Sequence, residues 1–463
     1  VEKHVESVVT YWTAGKPAGM LSKDGKETII SIYFDKSLDP EIAAKTAGEL
    51  QDKFDGDYKS SRVYVAGLET IYNSINSKIK QDLVKAEAIA IPLNIIMLLI
   101  VFGTAVSAGL PMIVAMGSIF GSFLTLFGIS QFTDVSVFAL NLITGLGLGL
   151  GIDYALLVVN RFREELHAGH TVEESVVKTV STAGRTVLFS GLAVMAVLSS
   201  MSVFPQYFLK SFAYAGVSVV FFAVLATLVA LPAVLAMLGH KVDKWTLRKG
   251  ALTSHEHGGW ATTARVVMKR PFIFIAGAVA LLMLLAFPAT NVKFGQVDDR
   301  VLPANNPVAV AIEESRQRFE GQAASPVELV IPKANSSAND VAEIALRISK
   351  QDSVISVLTP TSFIDHGQAI QLPSIAPQQA TNDYDRISII LREPPRQESS
   401  VEFVRWLRDS QLPEGSLVGG ASAIYVDSQA GISDHLAEVL TWLTIATFLV
   451  LFLYTGSILL PIK

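Results

Sequence analysis

The chain has no cysteine among its 463 residues. That excludes a disulfide framework, a thiolate metal site and a cysteine nucleophile. Charge is also scarce: Asp, Glu, Lys and Arg make up 17% of the sequence, against about 25% in soluble domains. The net charge of -5 is small and dispersed, and no block of Lys and Arg offers a nucleic-acid surface, so nucleic acid is excluded as a partner. The polar regions contain neither GxSxG nor HExxH, which sets an enzyme aside. His255 and His257 in SHEHGG stand without further ligands, so no metal and no cofactor are expected.

What the chain has in quantity is apolar sequence, half of all residues. A hydrocarbon layer about 30 Å thick needs about 20 apolar residues in a helix. Seven runs approach or exceed that length, at 86–106, 109–128, 135–159, 187–203, 212–238, 271–287 and 439–460. The segments 161–185 and 240–270 carry Arg161, Arg163, Lys178, Arg185, Lys241, Lys244, Arg248, Lys249, Arg265, Lys269 and Arg270. The short loops between the other span ends offer only Lys210, so the positive-inside bias makes the basic segments cytoplasmic. Within the second of them, GHKVDKWTLRK (239–249) reads as amphipathic and suited to the inner membrane surface.

The polar regions 1–85 and 288–438 then lie outside. ETIISIYF (27–34) alternates like a strand, a helix follows from Asp39 and Pro40, and SRVYVAG reads as a second strand. The later region repeats the order with RISIILRE, a helix through SSVEFVRWLRDSQ, and SLVGGASAIY. Val65, Gly67, Ile71 and Tyr72 match Val418, Gly420, Ile424 and Tyr425 at one constant offset, and each set precedes a polar helix that runs into an apolar span. This is an internal duplication, and parallel repeats are a common way to build transporters. The predicted class is a polytopic α-helical membrane protein with α/β, ferredoxin-like β-α-β domains outside the cytoplasm. Its parts are an outer domain at 1–85, a five-helix bundle at 86–238, a cytoplasmic loop at 239–270, a span at 271–287, an outer domain at 288–438 and a span at 439–460. The second repeat stops inside the membrane region, so we expect a piece of a longer protein.

Glu87 stands at the outer edge of the first run and reads as interfacial, but one acid lies deep within an apolar run, in LITGLGLGLGIDYALLVVNRF (142–162). At about 1.5 Å per residue, Asp153 lies about 12 Å from Arg161 and about 28 Å from Asp134, within the hydrocarbon layer. Intramembrane carboxylates usually face a bundle interior and mark ion or proton pathways; the plainer reading is a polar staple that never titrates. Tyr154 beside it can donate or accept a hydrogen bond. Ser190 either extends that hydrogen-bond chain or bonds its own helix's backbone. Gly145 with Gly149, and Gly147 with Gly151, form overlapping GxxxG spacings that permit close helix contact. They lie in a span too long for the strand-turn-helix context of a nucleotide loop.

GLGIDYALLVVNRFREEL, TAGRTVLFSG, FPQYFLKSFAYA and VLPANNP resemble the MMPL family, the mycobacterial membrane protein large type, of the resistance-nodulation-division (RND) superfamily. The resemblance covers essentially the whole chain. It implies a twelve-span protein, here lacking the first span and the last four, whose outer regions are porter domains. It also implies export of lipids or other hydrophobic molecules across the bacterial plasma membrane, with the proton gradient as energy source. Asp153 and Tyr154, the two residues that carry over from the family, would be half of a proton relay completed by an equivalent pair in the tenth span. Implied partners are membrane lipids, the hydrophobic substrate and cell-envelope proteins, and the assembly would be a monomer or a trimer. The alternative function is an RND-type lipid- or sterol-binding or envelope-scaffold protein that does not transport.

Overall fold

The computed structural model describes residues 4–13, 20–35, 37–246, 259–288, 299–319, 325–365, 367–371 and 379–462. Strands β1 (Val5–Thr10) and β2 (Ile30–Phe34) lead to helix α1 (Pro40–Phe54), strands β3 (Gly56–Tyr58) and β4 (Ser61–Val63), and helix α2 (Leu68–Phe102). Next come α3 (Ala105–Ile129), α4 (Phe138–His167), α5 (Val172–Thr179), α6 (Arg185–Ser199), α7 (Tyr207–Leu225), α8 (Leu231–Leu238), α9 (Gly259–Lys269) and α10 (Pro271–Ala286). After α11 (Pro307–Arg318) the order is β5 (Val327–Pro332), α12 (Ala338–Ser349), β6 (Val354–Leu358), β7 (Ser362–Asp365), β8 (Gln368–Gln371), β9 (Tyr384–Leu391), α13 (Glu398–Asp409), β10 (Leu417–Gly420), α14 (Ala421–Thr455) and α15 (Leu459–Ile462). The chain divides into two units, Val1–Asp82 with Lys293–Ala430 and Leu83–Val292 with Gly431–Lys463.

The first unit is built on an antiparallel sheet in the order β10-β5-β9-β6-β7-β8. Strands β5, β6, β9 and β10 with α12 and α13 follow the ferredoxin-like βαββαβ path, and β7 and β8 extend the sheet beyond β6. Alternation explains the layering: Val327, Leu329 and Ile331 of β5 and Ile387, Ile389 and Leu391 of β9 are fully buried or nearly so. They meet Val341, Ala345 and Ile348 of α12 and Phe403, Val404 and Leu407 of α13 in one core. Each such side chain contributes about 1.5–3 kcal/mol relative to leaving it in water.

The first polar region departs from its expected form. SRVYVAG supplies only the three residues of β4, which pair with β3 as a hairpin, while β2 pairs with β1. ASAIY is the first turn of α14 rather than the end of a strand. Helix α11 also reaches back to the first region. Val308 and Ile312 pack on Ile71 and Ile75 of α2, the Arg318 carbonyl accepts from the Lys23 amide at 2.9 Å, and the Arg318 guanidinium pairs with Glu27.

The duplication is visible in the helices. α2 and α14 each have 35 residues, and both their starts, 68 and 421, and their ends, 102 and 455, lie 353 positions apart. The matched glycines differ, however. Gly67 has open space where a Cβ would go, whereas Gly420 has φ +93° and a Cβ there would collide with the Pro326 carbonyl oxygen. Gly420→Ala is therefore expected to destabilise the first unit by about 2–4 kcal/mol, combining left-handed backbone strain with overpacking. Hydrogen exchange in β10 and β5 measures it.

On the sheet's other face, the Ser388 hydroxyl donates to the Glu328 carboxylate at 2.6 Å, and Arg386 Nε stands 3.5 Å away. Burial pushes the Glu328 carboxyl above its ordinary range, against the pull of Arg386 and Ser388. A raised native value gives stability that is complete below the ordinary carboxylate value and is lost as pH rises through the raised one. Glu328→Gln is expected to flatten that loss, measured as the pH dependence of exchange in β5 and β9.

In the second unit, α3, α4 and α7 share a core that includes Ala115, Ile143, Ala155, Val158, Phe162, Val219 and Ala223. Among the described residues six continuous helical stretches are long and apolar enough to cross a membrane, counting 172–203 and 207–243 as one each, and α9 with α10 forms a pair bent by 97° at Pro271, where a seventh run lies. Stretches of this number and length make the chain a multi-pass membrane protein. The segment expected as a basic loop at 161–185 is mostly helical: α4 extends to His167, and α5 starts after a short turn with the Thr171–Glu174 capping box. The amphipathic reading of GHKVDKWTLRK is met only by a 3-10 turn at Gly239–Asp243. The rest of that motif past 246, and His255 and His257, lie outside the described residues.

Two π-helical turns interrupt the spans, Val180–Gly184 between α5 and α6 and Ala226–Ala230 between α7 and α8. In the first, the Ser181 and Thr182 hydroxyls donate to the Lys178 carbonyl at 3.0 and 2.7 Å, competing with the α-helical ladder. Pro232, which has no N–H to give, follows the second.

Candidate functional site

Helix α4 is sorted by its environment into two faces. At about 100° per residue, positions four apart share a face and positions two apart oppose each other. Gly147 and Gly151 are buried with Ile143 and Ala155. A Cβ on Gly151 would lie 2.8 Å from the Ala115 Cα of α3, and one on Gly147 would meet Ile119 Cγ1 at 2.5 Å. These two glycines let α3 and α4 approach closely. Gly145 and Gly149 are exposed, with nothing within 4 Å of their Cβ positions among the described residues. Among the described residues, one of the two GxxxG pairs of α4 is thus used for helix contact and the other is not.

Asp153 continues the open stripe, one turn beyond Gly149 and one before the exposed Leu157. The expected placement inside a bundle is not what this chain shows: the carboxylate faces outward and makes no hydrogen bond or ion pair with any described residue. Tyr154, one residue on, is 6% exposed and belongs to the α3-α4-α7 core. Its hydroxyl is buried without a closed hydrogen bond, and Ser190 of α6 lies beside it. Ser190 itself is exposed and does not bond its own helix's backbone. The structure therefore places Tyr154 with Ser190, and Asp153 on the adjoining open face.

Two buried charges stand at the basic end of α4; Arg163 entered the sequence reading only as a topology signal, and Glu165 did not enter it. Arg163, 3% exposed, pairs with Asp243 at 2.7 Å and donates to the Phe102 carbonyl at 2.9 Å. It ties the ends of α2 and α4 to the turn after α8. Ser107 donates to Val242 in the same knot, at 2.9 Å. Glu165 pairs with Arg161, with His170 at 3.1 Å and with Lys178 at 3.4 Å. The available signal was their position: a charge one or two turns inside a helix end, where the helix still packs on its neighbours.

Among the described residues no group of His, Asp or Glu has metal-holding geometry.

Comparison with known proteins places these features. The model of the MMPL family matches residues 1–274. The trehalose monomycolate exporter MmpL3 of Mycolicibacterium smegmatis is 31% identical over 480 residues, covering 96% of this chain and 46% of that protein. A putative membrane protein of Streptomyces coelicolor is 31% identical over 450 residues, covering 96% of this chain and 59% of that protein. The heme uptake protein MmpL11 of Mycobacterium tuberculosis is 26% identical over 419 residues, covering 87% and 41%. The chain spans about half the length of the curated relatives it matches.

Proposed function

This chain belongs to the MMPL family, and from that premise we propose that it works in proton-driven export of lipids or other hydrophobic molecules across the bacterial plasma membrane. The observation that carries the reading is Asp153: a carboxylate within an apolar span, on an open helix face whose neighbouring positions are the side-chain-free Gly145 and Gly149. A charge at such a depth costs about 2.5–3.5 kcal/mol when it faces lipid. That favours either protonation or a covering partner. The stripe fits the docking of the equivalent helix of a second repeat, where the resemblance puts a second Asp-Tyr pair.

The cycle follows from the charge. Protonated, Asp153 is neutral and its contacts across the repeat interface weaken, so the helices shift. Deprotonated, it restores them. One charge moving through 100 mV supplies about 2.3 kcal/mol. Tyr154, next in the chain, and Ser190 beside it carry hydroxyls that in this reading would donate to the charged form of the carboxylate and accept from its neutral one. Relatives named as a trehalose monomycolate exporter and a heme uptake protein support a hydrophobic cargo.

The test uses the full-length protein in proteoliposomes with a fluorescent acylated lipid. An imposed pH gradient should drive lipid transfer, and a protonophore should stop it. Transfer that ignores the protonophore would sink the reading.

A further inference from the structure

The segment 161–185 carries Arg161, Arg163, Lys178 and Arg185 at the basic end of the bundle, and all but the last are neutralised from within. Arg161 pairs with Glu164 and Glu165, Arg163 with Asp243, and Lys178 with Glu165. Arg185, the first residue of α6, is exposed and has no acid partner among the described residues.

Its position is fixed all the same. The guanidinium lies over the ring of Phe189 at 5.8 Å and over that of Tyr454, from α14, at 5.9 Å, within the roughly 6 Å reach of cation–π attraction. The two rings meet at 5.1 Å, and the Arg185 Nη2 donates to the Tyr454 carbonyl at 3.4 Å. Arg163 treats α2 in the same way, donating to the Phe102 carbonyl at 2.9 Å and lying 5.9 Å from the centre of the Phe102 ring. The ends of α2 and α14, equivalent in the repeat, are thus each held by an arginine. Among the described residues the first arginine has its counter-ion, Asp243, and the second has none. Most of the N–H donors of a guanidinium remain after one such contact.

The surroundings are those of an amphiphile. Arg185 stands just before the apolar run 187–203, and Tyr454 just before the end of α14, so the cation sits at the edge of the hydrocarbon on the side that the positive-inside bias makes cytoplasmic. The seam between α6 and α14 continues to Trp442, whose indole N–H reaches the Ala196 carbonyl and the Ser199 hydroxyl, each at 3.3 Å. At about 1.5 Å per residue, Tyr454 and Trp442 are about 18 Å apart along α14. One leaflet, half of a hydrocarbon core about 30 Å thick, is slightly shorter than that. Leu188 and Leu192 follow Arg185 at successive turns of α6, Leu451 precedes Tyr454 by one turn of α14, and all three are exposed.

We propose that Arg185, held by Phe189 and Tyr454, binds the phosphate of an acidic phospholipid of the cytoplasmic leaflet, whose acyl chains lie along the α6–α14 seam. The phosphodiester supplies the missing counter-ion through charge-assisted hydrogen bonds, which a guanidinium makes two at a time. Anionic lipid of the cytoplasmic leaflet is what basic residues at this depth attract. Because α6 belongs to the first repeat and α14 opens the second, the bound lipid fastens the repeats together at this surface. The site does not depend on Asp153 being a proton carrier.

Native mass spectrometry of the full-length protein in detergent, titrated with phosphatidylglycerol and with phosphatidylcholine, tests the site. The wild type should take up its first phosphatidylglycerol about tenfold more tightly than phosphatidylcholine, and Arg185→Gln should lose that preference. Arg185→Lys keeps the charge without the planar fork and should lose about threefold. Arg161→Gln, which removes a cation already paired within the protein, should shift the preference by less than about twofold. Should Arg185→Gln not fold, Tyr454→Leu carries the test, with phosphatidylglycerol held about threefold more weakly once one ring is gone. Inorganic phosphate in excess should leave the bound lipid in place. No preference in the wild type, the same preference in Arg185→Gln, or an equal loss in Arg161→Gln overturns the site; displacement by inorganic phosphate overturns the lipid as its occupant.

Discussion

Asp153→Asn in the full-length protein is expected to cut proton-coupled export by about a hundredfold or more, the scale on which a positioned proton-transfer group acts. Folding should not explain the loss. The Asp153 side chain is exposed and has no hydrogen-bond partner among the described residues, and a nearly isosteric change at such a position usually shifts stability by no more than about 0.5 kcal/mol. Asparagine keeps the shape and a hydrogen-bonding oxygen but cannot cycle between charged and neutral forms. Equal membrane levels and equal melting of wild type and variant, alongside lost export, is the predicted pair of results. Export with unchanged uncoupler sensitivity would remove Asp153 from the mechanism.

Gly151→Val should produce the largest loss of stability in the second unit, about 3 kcal/mol. The atom in the way is the Ala115 Cα, 2.8 Å from the Cβ position. Backbone cannot swing aside as a side-chain tip can, so α3 and α4 must separate. Gly149→Ala is the matched control. Nothing lies within 4 Å of its Cβ position, and replacing a mid-helix glycine with alanine gains about 0.5–1 kcal/mol. If the open stripe is where a second repeat docks, Gly149→Leu should impair export in the full-length protein without unfolding this chain. Thermal melting in detergent gives the stability arm and lipid transfer the functional one. Equal melting of Gly151→Val and wild type would mean that α3 and α4 do not pack as described.

The two glycine pairs show what could be read in advance and what could not. Their spacing announced close helix contact, and a turn of about 200° between positions 147 and 149 puts the pairs on opposite faces. Which face a neighbour covers depends on α3 and α7, which no local pattern specifies. Spans and repeat were legible because they rest on length, hydropathy and offset: all seven apolar runs recur as helices, and α2 and α14 agree at both ends. ASAIY misled because alternation of small and large residues suits a strand equally well. The positive φ of Gly420 ends β10 before it, and a conformation that glycine permits without requiring is not written in the residue. The π turns were hidden for a related reason. They arise from Ser181 and Thr182 bonding Lys178 and from Pro232 lacking an N–H, and each of those residues also occurs in unbroken helices. Asp153 itself stood out as the lone acid of the apolar run 135–159, while its place on the open face of α4 depends on how that helix packs on α3 and α7.

The most direct measurement is proton movement itself. Full-length protein in proteoliposomes with an internal pH dye, given an acylated lipid substrate, should show substrate-dependent proton flux in the wild type and none above the lipid-only leak in Asp153→Asn. Wild-type flux in Asp153→Asn would contradict the account.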